Sequence, residues 1–223
     1  FASNHLSFSD SFFLPLVVRR QMVFIAKSDY FTGSGIKGWF SKAFFSGVGQ
    51  VPVDRSGGRA SEAAIYTALK VIDAGKLFGI YPEGTRGPDR DALYRLHQRV
   101  LVPLPRANPD VPVHAVTVRY FPKGLRVRVE VRVSDPLPID RDTMSDDEIT
   151  AVVRDAMVAV SGLRYVDLPA WTAKRRAREE QARLAAEAQA SGGKVVQSEQ
   201  YVSLADLPCP RTSRPLSIAC RVR

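Results

Sequence analysis

The alternation of apolar and polar residues predicts several strands along the chain. Residues 126–133, Arg-Val-Arg-Val-Glu-Val-Arg-Val, alternate strictly, which is typical of a strand with one face in water. Continuous apolar runs at residues 22–26 and 77–81 predict buried strands, and the second run ends abruptly at Pro82. A Val-Pro-Val segment at residues 51–53 predicts a further short strand.

Several segments have the pattern of helices. Apolar residues recur on one face of residues 61–74, and Gly75 ends that segment. Residues 145–148, Ser-Asp-Asp-Glu, are a capping box that opens a helix to about residue 160. Residues 173–190 predict a charged, alanine-rich helix that is either solvated or held at a membrane surface.

Strands that alternate with helices indicate an α/β protein, and we expect a central mixed β-sheet flanked by helices. We divide the chain into a globular domain at residues 1–168, a charged helical extension at 169–190 and a disordered tail at 191–223. Residues 95–106 contain two prolines and little helical periodicity, so we expect little helix there.

His5 and Asp10, with four residues between them, are the first candidates for chemistry. If their side chains meet, the carboxylate accepts the Nδ1 proton and leaves Nε2 as an oriented base. Such a base suits removal of a proton from a hydroxyl that attacks a carbonyl. No convincing serine or cysteine nucleophile accompanies it, which indicates that the hydroxyl belongs to the substrate. Taken alone, the pair also fits a helix-capping aspartate and a loop histidine.

A second candidate site follows the apolar run at residues 77–81. There Pro82-Glu83-Gly84-Thr85-Arg86 places a carboxylate, a hydroxyl and a guanidinium on one turn. Arg86 can bind a phosphate through two hydrogen bonds, backbone N–H groups near Gly84 can approach it, and Glu83 can hold the arginine. In the alternative interpretation, Glu83 and Arg86 form an internal salt bridge that only shapes the loop.

Together these residues resemble the motifs of the lysophospholipid acyltransferases, in particular the bacterial 1-acylglycerol-3-phosphate O-acyltransferases. The first family block, His-x-x-x-x-Asp, matches His5 and Asp10, and the third, Pro-Glu-Gly-Thr-Arg, matches residues 82–86 completely. A block that ends in arginine matches residues 49–55, and an apolar Val-Pro-Val block matches residues 111–116 loosely. The resemblance runs to about residue 168 and departs from the family pattern after residue 90.

The resemblance implies a glycerolphosphate acyltransferase-like fold and transfer of a fatty acyl group from acyl-CoA or acyl carrier protein to the free hydroxyl of lysophosphatidate. His5 would be the general base, and Asp10 would fix its tautomer. No cofactor is implied beyond the acyl thioester itself. The residues implied for the acceptor's phosphate are Arg55, Glu83, Gly84, Thr85 and Arg86, and those for the acyl-donor side are Val111, Pro112 and Val113.

Composition and charge indicate which kinds of binding partner the chain has. The net charge of +9 indicates an anionic partner, and an anionic membrane surface and phosphate-bearing substrates account for it. No nucleic acid is expected, because no nucleic-acid-binding motif is present. Three scattered histidines predict no metal site, and two cysteines confined to the far C-terminal region favour a reduced, cytosolic setting.

The apolar runs are shorter than the ~18 to 20 residues that span a bilayer. The resemblance implies a protein at the cytoplasmic face of the cell membrane, either peripheral or anchored through a segment upstream of Phe1.

Three other functions compete with lysophosphatidate acylation. An acyltransferase of the same chemistry would use another acceptor, such as glycerol 3-phosphate or a lysoglycolipid. A degenerate, non-catalytic member would keep a lipid-binding surface but lose its acyl site through the altered stretch after residue 90. A nucleic-acid-binding module would bind DNA or RNA with steep salt dependence and release no thiol.

Overall fold

The computed structural model describes residues 1–7, 9–18, 20–27, 50–53, 60–108, 110–123, 126–190 and 217–221. The strands are β1 (Ala2–Ser3), β2 (Met22–Lys27), β3 (Gln50–Val53), β4 (Leu77–Gly79), β5 (Ala92–Tyr94), β6 (Ala115–Lys123), β7 (Arg126–Val133), β8 (Arg164–Val166) and β9 (Ser217–Arg221). The helices are α1 (Asp10–Val18), α2 (Ala60–Asp73), α3 (Gln98–Leu101), α4 (Pro103–Ala107), α5 (Asp146–Ser161) and α6 (Ala170–Ala190).

A mixed β-sheet forms the centre of the molecule. Its strands follow the order β1-β6-β7-β9 in one part and β3-β2-β4 in the other. A parallel bridge between Ala2 and Ile80 joins the two parts, and the Ser3 N–H donates to the Ile80 carbonyl over 2.9 Å. β7 runs antiparallel to β6 and to β9, whereas the pairs β1–β6, β2–β3 and β2–β4 are parallel. The predicted α/β class, with a central mixed sheet flanked by helices, is confirmed.

Helices cover both faces of this sheet. On one face, Leu14 of α1 packs with Phe24 in a fully buried cluster. On the other face, Val23 packs against Ala68 of α2, and α5 contributes the buried Met157. Because Val23 and Phe24 are neighbours on β2 and point to opposite faces, the strand is buried on both sides, as its apolar run predicts.

The parallel strands bring both candidate segments to one edge of the sheet. His5 follows β1 and residues 82–86 follow β4, so both segments lie beyond the carboxyl ends of their strands, the edge at which open α/β sheets bind ligands. Asn4 fixes the direction in which the chain leaves β1. Its Nδ2 donates to the Val118 carbonyl over 3.1 Å, and its Oδ1 accepts from the Val118 N–H over 2.8 Å. The buried amide thereby continues the β1–β6 ladder by one more pair.

The segment that departs from the family pattern is packed into the core. The sequence predicts little helix at residues 95–106, but the structure has the short helices α3 and α4, whose Leu101 and Leu104 are buried. Pro103 is the first residue of α4. The N–H groups of the first helical turn have no acceptor within the helix, so a proline, which lacks an N–H, is compatible with a helix at this position. Upstream, Leu93 of β5 is fully buried.

The C-terminal half follows the prediction closely as far as α6. The capping box of α5 is present, since the Ser145 N–H donates to Glu148 Oε2 over 2.7 Å and Ser145 Oγ accepts from the Glu148 N–H over 3.3 Å. In the tail predicted to be disordered, residues 191–216 and 222–223 lie outside the described residues. β9 differs from that prediction because it pairs with the free edge of β7. None of the helices described is long and apolar enough to cross a membrane.

Gly79 packs directly against the Phe24 ring, and a Cβ at this position would lie 2.3 Å from that ring. We expect Gly79→Ala to lower the free energy of unfolding by about 1–3 kcal/mol in urea titrations, because the overfilled core must shift. In a Phe24→Leu background, which lacks the ring, the same substitution is expected to cost less. An equal cost in both backgrounds would show that this contact is not the cause.

Candidate active site

A histidine and a buried carboxylate meet at the carboxyl edge of the sheet. His5 Nδ1 lies 3.0 Å from Asp10 Oδ2. The Asp10 side chain is 0% exposed, whereas the His5 side chain is 19% exposed. This is the contact that the spacing of the two residues predicts. It leaves the other ring nitrogen, Nε2, with no hydrogen-bond partner among the described residues.

Asp10 accepts hydrogen bonds on both oxygens. Oδ2 accepts from the backbone N–H of Leu6 over 2.8 Å and of Ser7 over 2.9 Å, in addition to His5 Nδ1. Oδ1 accepts from the Tyr120 hydroxyl over 2.5 Å. Asp10 is also the first residue of α1, where the helix dipole stabilises negative charge. Because an ionised carboxylate only accepts, the proton shared with His5 resides on Nδ1, and Nε2 is the free base.

The His5 ring is held in a stack of aromatic rings. It stacks on Tyr81 with ring centroids 4.1 Å apart and an interplanar angle of 18°, and Tyr81 stacks in turn on Phe24 at 5.3 Å. The Tyr81 hydroxyl forms a hydrogen bond of 2.8 Å with Ser11 Oγ. Burial raises the pKa of Tyr81 well above its usual range, so the phenol stays protonated. The stack restricts rotation of the imidazole and keeps Nδ1 directed at Asp10.

Glu83 ties the His5 segment to the rest of the sheet. Its Oε1 accepts from the His5 N–H over 3.0 Å, and its Oε2 accepts from the Tyr94 N–H of β5 over 2.9 Å. The residue is 2% exposed, so both oxygens face backbone donors instead of solvent. Although both bonds favour the ionised form, burial dominates and raises the pKa of Glu83 to about 7. No ion pair joins Glu83 to Arg86, both of which are described residues, so neither an arginine-holding Glu83 nor an internal salt bridge is present.

The other residues predicted to bind phosphate lie on a more open turn. Gly84 has a φ of +73°, and a Cβ there would lie 3.0 Å from the His97 ring, so both backbone and space favour glycine. Gly84 and Arg86 are exposed, and Thr85 is half-buried. The Arg86 guanidinium has no partner among the described residues and is available to an anion. Arg55 lies outside the described residues.

The predicted acyl-donor residues lie at the opposite edge of the sheet. Val111, Pro112 and Val113 precede β6, which pairs in parallel with β1, whereas His5 follows β1. They line a mainly apolar cavity of about 290 Å³ together with Leu101. The structure therefore does not bring these residues next to His5, and their role on the acyl-donor side stays a prediction.

Comparison with known protein families shows to which family the chain belongs. The family model described as Acyltransferase matches residues 1–119, which include His5, Asp10 and the turn at 82–86. The chain belongs to the acyltransferase family. Comparisons with curated proteins and with solved structures gave no match.

Sequence reasoning missed several residues that shape this candidate site. Tyr120 lies one position beyond the matched region, and the sequence predicts Tyr81 only as the last residue of a buried strand. Asn4 has no signal in the sequence beyond its position before His5. The polar hydroxyl of Tyr120 on the apolar face of β6 is a signal, but the sequence does not say which group it contacts. In the described residues, no group of histidine, cysteine and carboxylate side chains is arranged to hold a metal ion.

The raised pKa of Glu83 predicts a pH-dependent stability. Glu83 titrates near its ordinary pKa of 4.5 in the unfolded chain and near 7 in the folded chain, so between these values the folded state holds a proton that the unfolded state has lost. The stabilisation that this proton gives is present below pH 4.5 and lost as the pH rises through 7. From pH 5 to pH 8 we expect the loss to be on the order of 2–3 kcal/mol.

Urea unfolding of wild type and of Glu83→Gln across this pH range measures the effect. The variant has no titrating group at position 83, so its free energy of unfolding is expected to fall less with pH, although it also loses one backbone hydrogen bond. Glu62→Gln, which removes an exposed carboxylate on α2, is the matched control and should keep the wild-type slope. Identical slopes for wild type and Glu83→Gln would contradict the raised pKa.

Proposed function

We propose that the chain transfers a fatty acyl group from acyl-CoA or acyl carrier protein to the free hydroxyl of 1-acylglycerol-3-phosphate, which gives phosphatidate for phospholipid synthesis. Membership of the acyltransferase family supports acyl transfer in general. The phosphate-bearing acceptor and the thioester donor are the more specific parts of the proposal, and they rest on the motif resemblance and on the exposed Arg86.

The observation that carries the proposal is a histidine base to which no nucleophile is hydrogen-bonded among the described residues. Asp10 occupies Nδ1 of His5, and no described hydroxyl or thiol is hydrogen-bonded to Nε2. Ser11, which lies one residue beyond Asp10, is instead bonded to the Tyr81 hydroxyl. The base is therefore free to act on a hydroxyl that the substrate brings, and no acyl-enzyme intermediate is needed.

The proposed reaction balances with His5 alone as the proton carrier. Nε2 removes the proton from the acceptor hydroxyl while the oxygen attacks the thioester carbonyl carbon, forming a tetrahedral intermediate. The carbon–sulfur bond then breaks, and the imidazolium returns the proton to the departing thiolate sulfur. Asp10 stabilises the imidazolium between these two steps, because its buried negative charge lies 3.0 Å from Nδ1. The products are an ester and a free thiol.

Arg86 is the proposed contact for the acceptor's phosphate. It is exposed and unpaired in the described part of the chain, and it shares a turn with Gly84, whose backbone is also exposed. A guanidinium can form two parallel hydrogen bonds to a phosphate, which fixes both position and orientation. Glu83 contributes only indirectly, because its carboxylate is buried against backbone N–H groups.

An anionic membrane surface is the proposed second partner. The net charge of +9 and the five basic side chains of α6 favour attraction to anionic lipids, where both the acceptor and the product reside. We accordingly propose a location at the cytoplasmic face of the membrane. The proposed reaction uses no cofactor other than the acyl thioester.

Other acceptors within the same chemistry are the main competing proposal, since the motifs identify acyl transfer better than they identify the acceptor. The degenerate, non-catalytic alternative was motivated by the unusual stretch after residue 90. That stretch forms β5, α3 and α4 with buried side chains, so no structural observation now favours that alternative over catalysis.

Thiol release from a long-chain acyl-CoA in the presence of lysophosphatidate tests the proposal. We expect His5→Ala to lower kcat by roughly 10²- to 10⁴-fold, because the general base is removed. Asp10→Asn is expected to lower kcat as well, since the amide can present an N–H to Nδ1 and favour the wrong tautomer. Circular dichroism and urea unfolding of each variant establish that the fold is retained.

Acceptor and donor swaps complete this experiment. Release that depends on glycerol 3-phosphate or a lysoglycolipid but not on lysophosphatidate would keep the chemistry and replace the acceptor. If folded wild-type protein releases no thiol from acyl-CoA or from acyl carrier protein with any of these acceptors, acyl transfer by this chain is refuted.

The proposed phosphate contact gives a separate prediction. We expect Arg86→Ala to raise the KM for lysophosphatidate by roughly 10- to 100-fold with a smaller change in kcat, because a charge-assisted hydrogen bond of about 1.5–3 kcal/mol is lost. Arg99→Ala removes the same charge from another exposed arginine of the described region and should leave the KM near the wild-type value. Equal KM values for the two variants would argue against Arg86 as the phosphate contact.

A further inference from the structure

Tyr120 lies on the face of β6 that is covered by α1. Val116 and Val118 point to this face and are buried in the cluster around Leu14. Because side chains on a strand alternate, Tyr120 is the next residue on the same face, nearer the carboxyl edge of the sheet. Asp10 is the first residue of α1, and the helix therefore brings its carboxylate over Tyr120.

The Tyr120 hydroxyl is the only described side-chain donor to Asp10 apart from His5. It donates to Oδ1 over 2.5 Å, while Oδ2 serves His5 Nδ1 and two backbone N–H groups. Burial and the adjacent negative charge of Asp10 raise the pKa of Tyr120 far above its usual range, so the phenol keeps its proton and remains a donor. Its ring is fixed by an edge-to-face contact with Phe13 at 6.0 Å.

We infer that Tyr120 is a positioning residue of the acyl-transfer site, acting through Asp10 on the orientation and basicity of His5. This inference rests on the proposed function for its catalytic consequence, but the chain Tyr120–Asp10–His5 is a feature of the fold itself. Tyr120 lies outside both the recognised motifs and the region matched by the family model.

The hydrogen bond has two opposing effects on His5. It holds the Asp10 carboxylate in the orientation in which Oδ2 faces His5 Nδ1. This orientation keeps Nε2 directed at the acceptor hydroxyl. It also withdraws negative charge from the carboxylate, which weakens the attraction between Asp10 and a protonated imidazole. Removing the hydroxyl should therefore loosen the orientation of His5 and, at the same time, make His5 easier to protonate.

Other ionisable groups near the dyad do not substitute for Tyr120. Tyr81 stacks on the His5 ring, and its hydroxyl bonds to Ser11. Glu83 faces the His5 backbone N–H and the Tyr94 N–H, and its charge acts on Asp10 only through space. Tyr120 is thus the group whose loss changes the charge on Asp10 without touching the His5 ring or its backbone.

Tyr120→Phe is the test variant, since it deletes one oxygen atom and keeps the ring against Phe13. Tyr165→Phe is the matched control, because the Tyr165 hydroxyl also bonds to an aspartate, Asp167, over 3.1 Å. Two measurements are made on the wild-type chain and on each variant. One is the titration of the His5 imidazole by NMR, assigned with His5→Ala, and the other is the pH dependence of thiol release.

We expect the midpoint of the His5 titration to move upward in Tyr120→Phe, by roughly half a pH unit or more, and to stay in place in Tyr165→Phe. In the activity assay, the acid limb of kcat/KM should move to higher pH in parallel. The kcat on the plateau should fall roughly 10-fold with little change in KM, because orientation matters most in the transition state.

An unmoved His5 titration in folded Tyr120→Phe would overturn the inference, and so would a fall in kcat without that shift, since a loosened core alone explains it. Failure of the proposed function has a different signature. If Tyr120→Phe shifts the His5 titration but the wild-type protein transfers no acyl group, the Tyr120–Asp10–His5 coupling stands and only the reaction assigned to the site is refuted.

Discussion

The site is organised around the carboxylate of Asp10, which solvent does not reach. An ionised carboxylate in an apolar surrounding costs several kcal/mol unless donors replace its water. Four donors do so here, two from the backbone of the His5–Asp10 loop, one from His5 and one from Tyr120. Each donor must be in position for the charge to be tolerated, so the loop, the imidazole and β6 are fixed together. The orientation of the His5 base is thus a consequence of how Asp10 is solvated by protein.

Glu83 secures the same segment from the other side. Its two oxygens accept hydrogen bonds from the backbone N–H groups of His5 and Tyr94. These two residues lie far apart in the sequence. The cost of burying this carboxylate is visible in its raised pKa, which reaches about 7. The third family block is therefore divided in role. Glu83 faces inward and stabilises the position of His5, whereas Arg86 faces outward and is available to a ligand.

Periodicity and local chemistry carried most of the fold prediction. The alternating strand β7, the apolar strand β2, the helix α2 and the capping box of α5 all follow from spacing within a few residues, because a helix or strand depends on which face it must bury. The prediction of little helix at residues 95–106 was wrong because of the prolines of α4. Whether a helix forms depends on where a proline lies relative to the first turn, not on its presence alone. Contacts over long sequence distances, such as Asn4 with Val118 and Tyr120 with Asp10, have no local signature.

The sequence by itself determined which residues are the candidates for chemistry. His5 and Asp10 are close in the chain, and the turn that carries Gly84 and Arg86 is contiguous, so residue types and spacing suffice to recognise them. The tertiary structure alone decided how these residues are used. It turned Glu83 inward, separated Val111 from His5 by a strand, and supplied Tyr81 from beyond the end of β4 and Tyr120 from β6. The physical reason is that a buried charge takes its hydrogen bonds, and a buried ring its packing contacts, from the groups that the strand order of the sheet brings next to it. That strand order is not encoded in any short segment of the sequence.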